Sequence, residues 1–487
     1  MSDHKTYLRD LDFGNVDAES EEELAKRFIR TPGFGRISDR DTLIILGPKG
    51  SGKSALFRLY TDFKDQAERL LGEDLPRNVH IIKATGGNDI RSVDNRNLQQ
   101  IKNQEKFSYE DFWEIYIGLK IAEKLGEAGY TSDGELGNVL RALDEQKDWR
   151  LLPVFRTIWE YCIGDPPSSG KLSYGSFSIE IGSSNEDFDA ELLLRNEQDL
   201  LTENNETIWL LLDRIDELES KDPEKRKELI EALFRTQLTF LGKFDNIRLK
   251  IFLRTDIWGE LNFVNKSHVS DKRIELNWDD TQLLKMINKR MLQSDLVREY
   301  VEGSIGTDIN VKNIENFDQG SQKEIFYSVF EDTVYPGERE AELFDWMTSR
   351  IKDGHGGKYP RELISFCNEA VREEIRKEEH PEDRLIEGYS VRDAYDTVSN
   401  QRVNTYLSEF PDLAEHFDRF DNKNTAEYSY NDLYAMFEDL EPSPKNAIDR
   451  MVDIGFFKTD RDEEGNRVYE IPRLYREGVG LVIRGRP

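Results

Sequence analysis

The sequence predicts an α/β fold: a largely parallel sheet layered with helices, continued by a helical region and ending in a winged-helix-like module. Three observations carry that prediction. Short apolar, β-branched runs alternate with longer helical patterns over residues 36–278, the rhythm of a parallel sheet with helical crossovers. A glycine-rich run, Gly47-Pro48-Lys49-Gly50-Ser51-Gly52-Lys53-Ser54, sits directly between the first of these strands and a helix. Near residue 405 the pattern changes to two short helices followed by two strands and a turn.

The expected elements follow in chain order. Residues 1–35 are polar with scattered apolar positions and read as an N-terminal segment packing on the core, with a short helix over Glu21–Ile29. Strands are expected at 42–46, 79–84, 207–212, 248–253 and 273–276. Asp222-Pro223 caps a helix whose Leu229, Ile230, Leu233, Phe234, Leu238 and Leu241 share one apolar face. Residues 166–184, rich in Pro, Ser and Gly, read as an insertion whose centre, Ser173 to Ile181, alternates like an exposed hairpin. Residues 279–400 read as helical, with a polar, mobile stretch at 301–325. In 401–487, helical patterns at 430–440 and 443–454, a turn at Glu464-Gly465-Asn466 and the run Val468 to Ile471 have the order of a winged helix.

Composition narrows the function classes. A chain of 487 residues with a net charge of −30 does not bind nucleic acid or anionic membranes through its bulk surface. Only two cysteines occur, Cys162 and Cys367, outside any metal spacing, so a reducing compartment is expected. No apolar run reaches membrane-span length, and the opening residues lack the apolar centre of a signal peptide. The expectation is a cytoplasmic protein with no membrane partner.

The glycine-rich run matches G-x-x-x-x-G-K-[ST] in the strand–loop–helix context that motif needs. Glycines let successive N–H groups curl toward an anion, and the following helix adds its partial positive charge. Residues Gly47, Pro48, Lys49, Gly50, Ser51, Gly52, Lys53, Ser54 and Ala55 are therefore the expected polyphosphate cradle. Lys53 would reach the β- and γ-phosphates, and the Ser54 hydroxyl would hold Mg²⁺. A second Mg²⁺-side group is expected where an apolar strand ends in an acid, and Thr207 to Leu212 end in Asp213.

An acid that positions the attacking water should follow. The next residue is Arg214, and the next acids are Asp216 and Glu217; Asp216 is favoured, with Glu217 as the alternative or both as part of a solvated loop. The strand Ile247 to Leu253 ends in Arg254, whose planar fork suits phosphate oxygens and could report a γ-phosphate; paired with Asp256 it would instead be an ordinary arginine. Arg361, early in a helix after Tyr359-Pro360, could reach back to the nucleotide or simply face solvent.

With these motifs assembled, Gly47 to Ser54, Leu210 to Asp216, Phe252 to Asp256 and Tyr359 to Arg361, the chain resembles P-loop ATPases of the additional-strand class, within the AAA+-related STAND and KAP groups. Asp12 to Glu19, Ile274 to Trp278 and Pro472 to Gly478 extend the likeness to a bacterial ATPase family of this type. The resemblance implies a P-loop NTPase core over 36–278, a helical lid over 279–400 and a winged-helix domain over 401–487. It implies ATP rather than GTP as ligand, with Mg²⁺, and a switch between resting and assembled states in regulation or antiviral defence. Self-assembly or an effector partner protein is expected on the same ground. Arg214 departs from the usual glutamate, which implies slow hydrolysis. The alternative is a nucleic-acid-acting ATPase whose winged helix contacts DNA. Residues 401–487 carry more Asp and Glu than Lys and Arg, which opposes it, while Arg473, Arg476, Arg484 and Arg486 favour it.

Overall fold

The computed structural model describes residues 2–71, 78–86, 108–145, 170–174, 177–181, 189–218, 222–337, 339–381 and 383–483. Cys162, Arg484, Arg486 and much of the 166–184 insertion lie outside these residues. The chain divides into two compact units, one of Pro32–Pro48 with Leu56–Glu275, the other of Met1–Thr31, Lys49–Ala55 and Leu276–Pro487.

The first unit is built on the parallel α/β sheet that the alternation of strands and helices predicts. Its strands are β1 (Ile44–Leu46), β2 (Val79–Thr85), β5 (Thr207–Asp213), β6 (Ile247–Leu253) and β7 (Arg273–Glu275), in spatial order β2-β5-β6-β1-β7. Every neighbouring pair is parallel. The strand β6 lies between β1 and β5, which is the additional-strand arrangement. β6 is buried along its whole length, so its apolar residues run nearly continuously as expected for a strand covered on both faces. The exceptions, Arg248 and Lys250, are satisfied locally. Lys250 Nζ donates to the carbonyls of Ile37, Asp39 and Thr42 at 2.8–2.9 Å and lies 4.1 Å from the Trp209 ring centroid. It thereby ties the segment leading into β1 to the middle of the sheet.

Helices Tyr109–Glu127, Ala190–Glu203 and Pro223–Lys243 supply the apolar layer, with Phe112, Trp113, Leu193, Leu229, Leu233 and Phe234 buried in one cluster with the sheet. The Asp222 carboxylate caps the last of these by accepting from Lys225 N at 3.1 Å. Within the insertion, β3 (Gly170–Tyr174) and β4 (Phe177–Ile181) pair antiparallel as a hairpin.

The second unit holds two hydrophobic clusters. One joins Leu283, Ile287, Phe326, Leu363, Phe366 and Val391 of the helical region. Leu8, Leu11, Phe13 and Ile29 belong to this cluster, so the N-terminal segment, expected on the ATPase core, finds its apolar partners among these helices. Buried charge holds it there: Arg27 pairs with Glu21 at 3.1 Å, and Arg290 donates to Phe13 O at 2.6 Å. The short helix within this segment spans only Leu24–Arg27.

Residues 301–325, expected to be mobile, are largely helical: they include the end of helix Asp295–Ile305, the 3₁₀ turn Val311–Asn316 and the start of helix Gln319–Val329. Their surface is polar, but Val301, Ile314 and Ile325 are fully or almost fully buried, each worth about 1.5–3 kcal/mol. The buried Asn288 amide also donates to Gln322 at 2.8 Å.

The other cluster forms the winged helix. Helices Ala414–Asp418, Tyr430–Met436 and Pro444–Asp453 pack with an antiparallel sheet of order β8-β10-β9. Its strands are β8 (Glu427–Ser429), β9 (Lys458–Arg461) and β10 (Arg467–Glu470). The strand β8 is too short to leave a periodic signal in the sequence; β9, β10 and the turn between them match the expected wing. Asp462 closes that turn by accepting from Glu464 N and Asn466 N at 3.0 and 2.7 Å.

Candidate functional site

In the sheet unit, three adjacent parallel strands deliver the expected residues to one edge. β1 ends at Leu46, and Gly47 N donates to Leu253 O at 3.3 Å. β5 ends at Asp213, whose side chain is buried. β6 ends at Leu253, immediately before Arg254. Because all three run the same way, Gly47, Asp213 and Arg254 leave the sheet at its carboxyl edge, where ligands of open α/β sheets bind.

The backbone turns sharply behind Asp213. Arg214 adopts the left-handed conformation (φ +59°), rare for a residue with a side chain and costing about 1–3 kcal/mol. A Cβ on Gly86 would lie 2.2 Å from Arg214 O, so only glycine lets the neighbouring chain pass there. The 3₁₀ turn Ile215–Glu217 follows. Arg214 Nε donates to Glu217 Oε1, so that acid is engaged with the residue that follows Asp213. Arg254 makes a two-pronged pair with Asp256, at 3.1 and 2.7 Å.

The second unit contains Lys49–Ala55. Gly50 and Gly52 have φ of +91° and +94°, the conformations that curl successive amides toward one side. The Ser51 side chain is buried, and its hydroxyl has no hydrogen-bond partner among the described residues. Lys53 begins the helix Lys53–Thr61, leaving its first N–H groups without intrahelical acceptors. This donor set, with two glycines whose left-handed backbone turns the amides to one side, fits a polyphosphate.

The loop is held by groups far away in sequence. Trp278 Nε1 donates to Ser51 O at 2.9 Å. Lys49 Nζ pairs with Glu409, at the end of helix Gly388–Glu409. A Cβ built on Gly50 would sit 3.0 Å from Arg361 Cβ and 3.2 Å from Glu362 Oε2. Arg361 therefore stands against the loop, at the start of helix Pro360–Arg376.

Glu362 in turn pairs with Arg402 at 3.0 Å, both side chains less than a tenth exposed. Burial alone would lower the pKa of Arg402, but the Glu362 charge, helped by Tyr406 and Tyr475, holds it well above its ordinary value. The Arg402 guanidinium lies 4.9 Å from the Tyr406 ring centroid, and Tyr406 Oη donates to Ile454 O at 2.6 Å and meets Tyr475 Oη at 3.0 Å. A chain of polar contacts thus runs from Glu362, packed beside Gly50, to the winged helix. Reading the sequence singled out Arg361 but missed Glu362, Arg402 and Glu409, and noted Trp278 only by resemblance. Hundreds of residues separate them from the loop, and no local pattern marks them.

Among the described residues of the winged helix, some cations are paired with carboxylates, while Lys423, Lys445, Arg461, Arg467 and Arg473 are exposed, Arg461 and Arg467 on the wing strands. Arg419 pairs with Asp439 at 2.6 Å, Lys458 and Arg476 with Glu470 at 3.0 and 2.8 Å, and Arg450 with Asp412. The wing turn exposes Asp462, Glu463 and Glu464. Among the described residues, no helix is long and apolar enough to cross a membrane.

A family model described as ORC-CDC6-like matches residues 13–80, the stretch that contains the glycine-rich loop. No curated protein sequence matches the chain. Among solved structures, the chain is similar to Cdc6p from Pyrobaculum aerophilum (11% identity, 90% of this chain and 86% of that chain covered, TM-score 0.32). It is also similar to the Aeropyrum pernix ORC1 protein in complex with DNA (13%, 97% and 91%, TM-score 0.36) and to Drosophila ORC bound to DNA (11%, 98% and 91%, TM-score 0.33).

Proposed function

We propose that this chain is an AAA+-type P-loop ATPase that works as a nucleotide-dependent conformational switch. Gly47 to Ala55 would cradle the phosphates of ATP, Lys53 would neutralise the β- and γ-phosphates, and Ser54 with Asp213 would hold Mg²⁺. Bound ATP supplies a transferable γ-phosphate. Around it, Asp216 would orient the attacking water, since Glu217 is engaged with Arg214. Arg254 would exchange Asp256 for a phosphate oxygen, which its fork geometry suits equally well.

The observation that supports the switch reading is the packing of Arg361 and Glu362 against Gly50, with Glu362 paired to Arg402 and Arg402 stacked on Tyr406. A group that contacts the loop differently with ATP and with ADP would shift Arg361 and strain the buried pair behind it. Only such differential contacts can move a conformational equilibrium. A regulatory or defence setting of STAND type, with self-assembly or a partner effector, belongs to the same proposal.

A second reading, favoured by the ORC-CDC6-like match over residues 13–80, is an ATPase that acts on nucleic acid through its winged helix. The acidic wing turn and the carboxylate-paired Arg419 and Arg476 oppose it, while the exposed Lys423, Lys445, Arg461, Arg467 and Arg473 favour it.

Sedimentation of the purified chain with Mg·ATP, Mg·ADP and no nucleotide, alongside phosphate release, tests the first reading. ATP alone should change compactness or subunit number, and Lys53→Ala should abolish the change. Arg254→Ala should keep nucleotide binding but lose the response. Identical sedimentation in all three conditions defeats the switch. Salt-sensitive DNA binding and DNA-stimulated turnover would move the choice to the second reading.

A further inference from the structure

Away from the phosphate loop, the second unit contains a cluster that the proposed ATPase does not use. His4, on the helix Ser2–Asp10, stacks on His380 with ring centroids 4.7 Å apart and planes 11° apart. Glu374, near the end of helix Pro360–Arg376, is fully buried beside them. One donor atom from each of the three residues lies within 4.8 Å of the others.

The hydrogen bonds determine which ring nitrogens carry protons. His380 Nδ1 faces Glu374 Oε1 at 2.8 Å, and a carboxylate there requires Nδ1–H. In the neutral ring the remaining nitrogen, Nε2, then keeps its lone pair. It is buried without a partner, on a side chain only 9% exposed. His4 Nε2 faces the Leu385 carbonyl at 3.1 Å, which likewise requires Nε2–H and leaves Nδ1 bare. Burial, the largest influence on His4, lowers its pKa and favours the neutral ring. The second oxygen of Glu374 is anchored by Ser390 Oγ at 2.7 Å and Glu387 N at 3.1 Å.

Two imidazoles that each donate one N–H to a carboxylate or carbonyl, and each keep the other nitrogen bare, have the outer hydrogen-bond partners that zinc-ligating histidines have. We propose that His4, His380 and Glu374 form a binding site for a divalent late first-row metal, with Zn²⁺ the best match to imidazole and carboxylate donors. The rings supply the ligands, Glu374 fixes the His380 tautomer and offsets the charge, and water completes the shell. Loading an ion requires the rings to turn out of their stack, because the lone pairs of near-parallel rings lie in near-parallel planes. The metal would pin the first helix to the segment that follows helix Pro360–Arg376.

The test is Zn²⁺ binding by the full chain, without a polyhistidine tag or nucleotide, in competition with a chromophoric chelator, and Co²⁺ as a spectroscopic stand-in. The wild type should bind one Zn²⁺ per chain and give a visible Co²⁺ band. His4→Ala and His380→Asn should each weaken Zn²⁺ binding by at least about tenfold. His4→Ala removes a half-buried side chain from a terminal helix, so retained circular dichroism would separate metal loss from misfolding. Lowering the pH to 5 should release the ion as the imidazoles protonate. Zn²⁺ affinity and Co²⁺ absorption equal in wild type and in His4→Ala/His380→Asn would overturn the site. Such a result would leave the ATPase proposal untouched, because Lys53 and Asp213 are unchanged in every variant.

Discussion

The indole N–H of Trp278 donates to the Ser51 carbonyl at 2.9 Å, fixing the apex of the glycine-rich loop from a residue more than two hundred positions away. A neutral hydrogen bond of this kind contributes about 0.5–1.5 kcal/mol. Trp278→Phe keeps an aromatic ring but removes the donor and part of the indole's packing. It should weaken ATP binding about two- to tenfold, as read by titration with a fluorescent ATP analogue, with little change in melting temperature.

Gly50→Ala should be far more damaging. The left-handed backbone costs a non-glycine residue about 1–2 kcal/mol, and the new methyl would press on Arg361 Cβ at 3.0 Å. Lower melting temperature and loss of ATP binding are both expected. If Gly50→Ala binds ATP as the wild type does, the loop conformation described here is wrong.

Breaking the Glu362–Arg402 pair leaves one charge buried alone. Glu362→Met alone should cost about 3–5 kcal/mol, whereas Glu362→Met with Arg402→Met should cost much less. Urea unfolding of the singles and the double gives the coupling energy directly. Additive effects would remove this pair from the proposed switch.

Glu197 is fully buried in the cluster of the sheet unit, and burial pushes its pKa well above the ordinary 4.5, against a small opposing effect of the backbone at Ala122. The folded state therefore holds this proton more tightly than the unfolded chain. Its contribution is full below about 4.5 and is lost as pH rises toward the folded value. Glu197→Gln should accordingly stabilise the protein at pH 7 and do so progressively less toward pH 4.5. A pH-independent effect in chemical denaturation would contradict the assignment.

For turnover, Asp216→Asn should reduce phosphate release more than Glu217→Gln, by about a hundredfold against less than tenfold, since only Glu217 is engaged with Arg214. Equal losses would return the choice between them to the open state the sequence leaves.

The loop and the strands were legible because their signals are local. A glycine-rich run between an apolar strand and a helix, or five apolar stretches spaced by helical patterns, need no knowledge of distant residues. The wing was legible for the same reason, except β8, whose three residues are shorter than any period. The 301–325 stretch misled because its polar faces outnumber the few apolar residues that anchor it. Strand order, the partner of Ser51, the apolar home of Leu8 and Phe13, and the Glu362–Arg402 pair were decided only in three dimensions. They rest on contacts between residues far apart in the chain, which burial and ion pairing select and which no local spacing encodes.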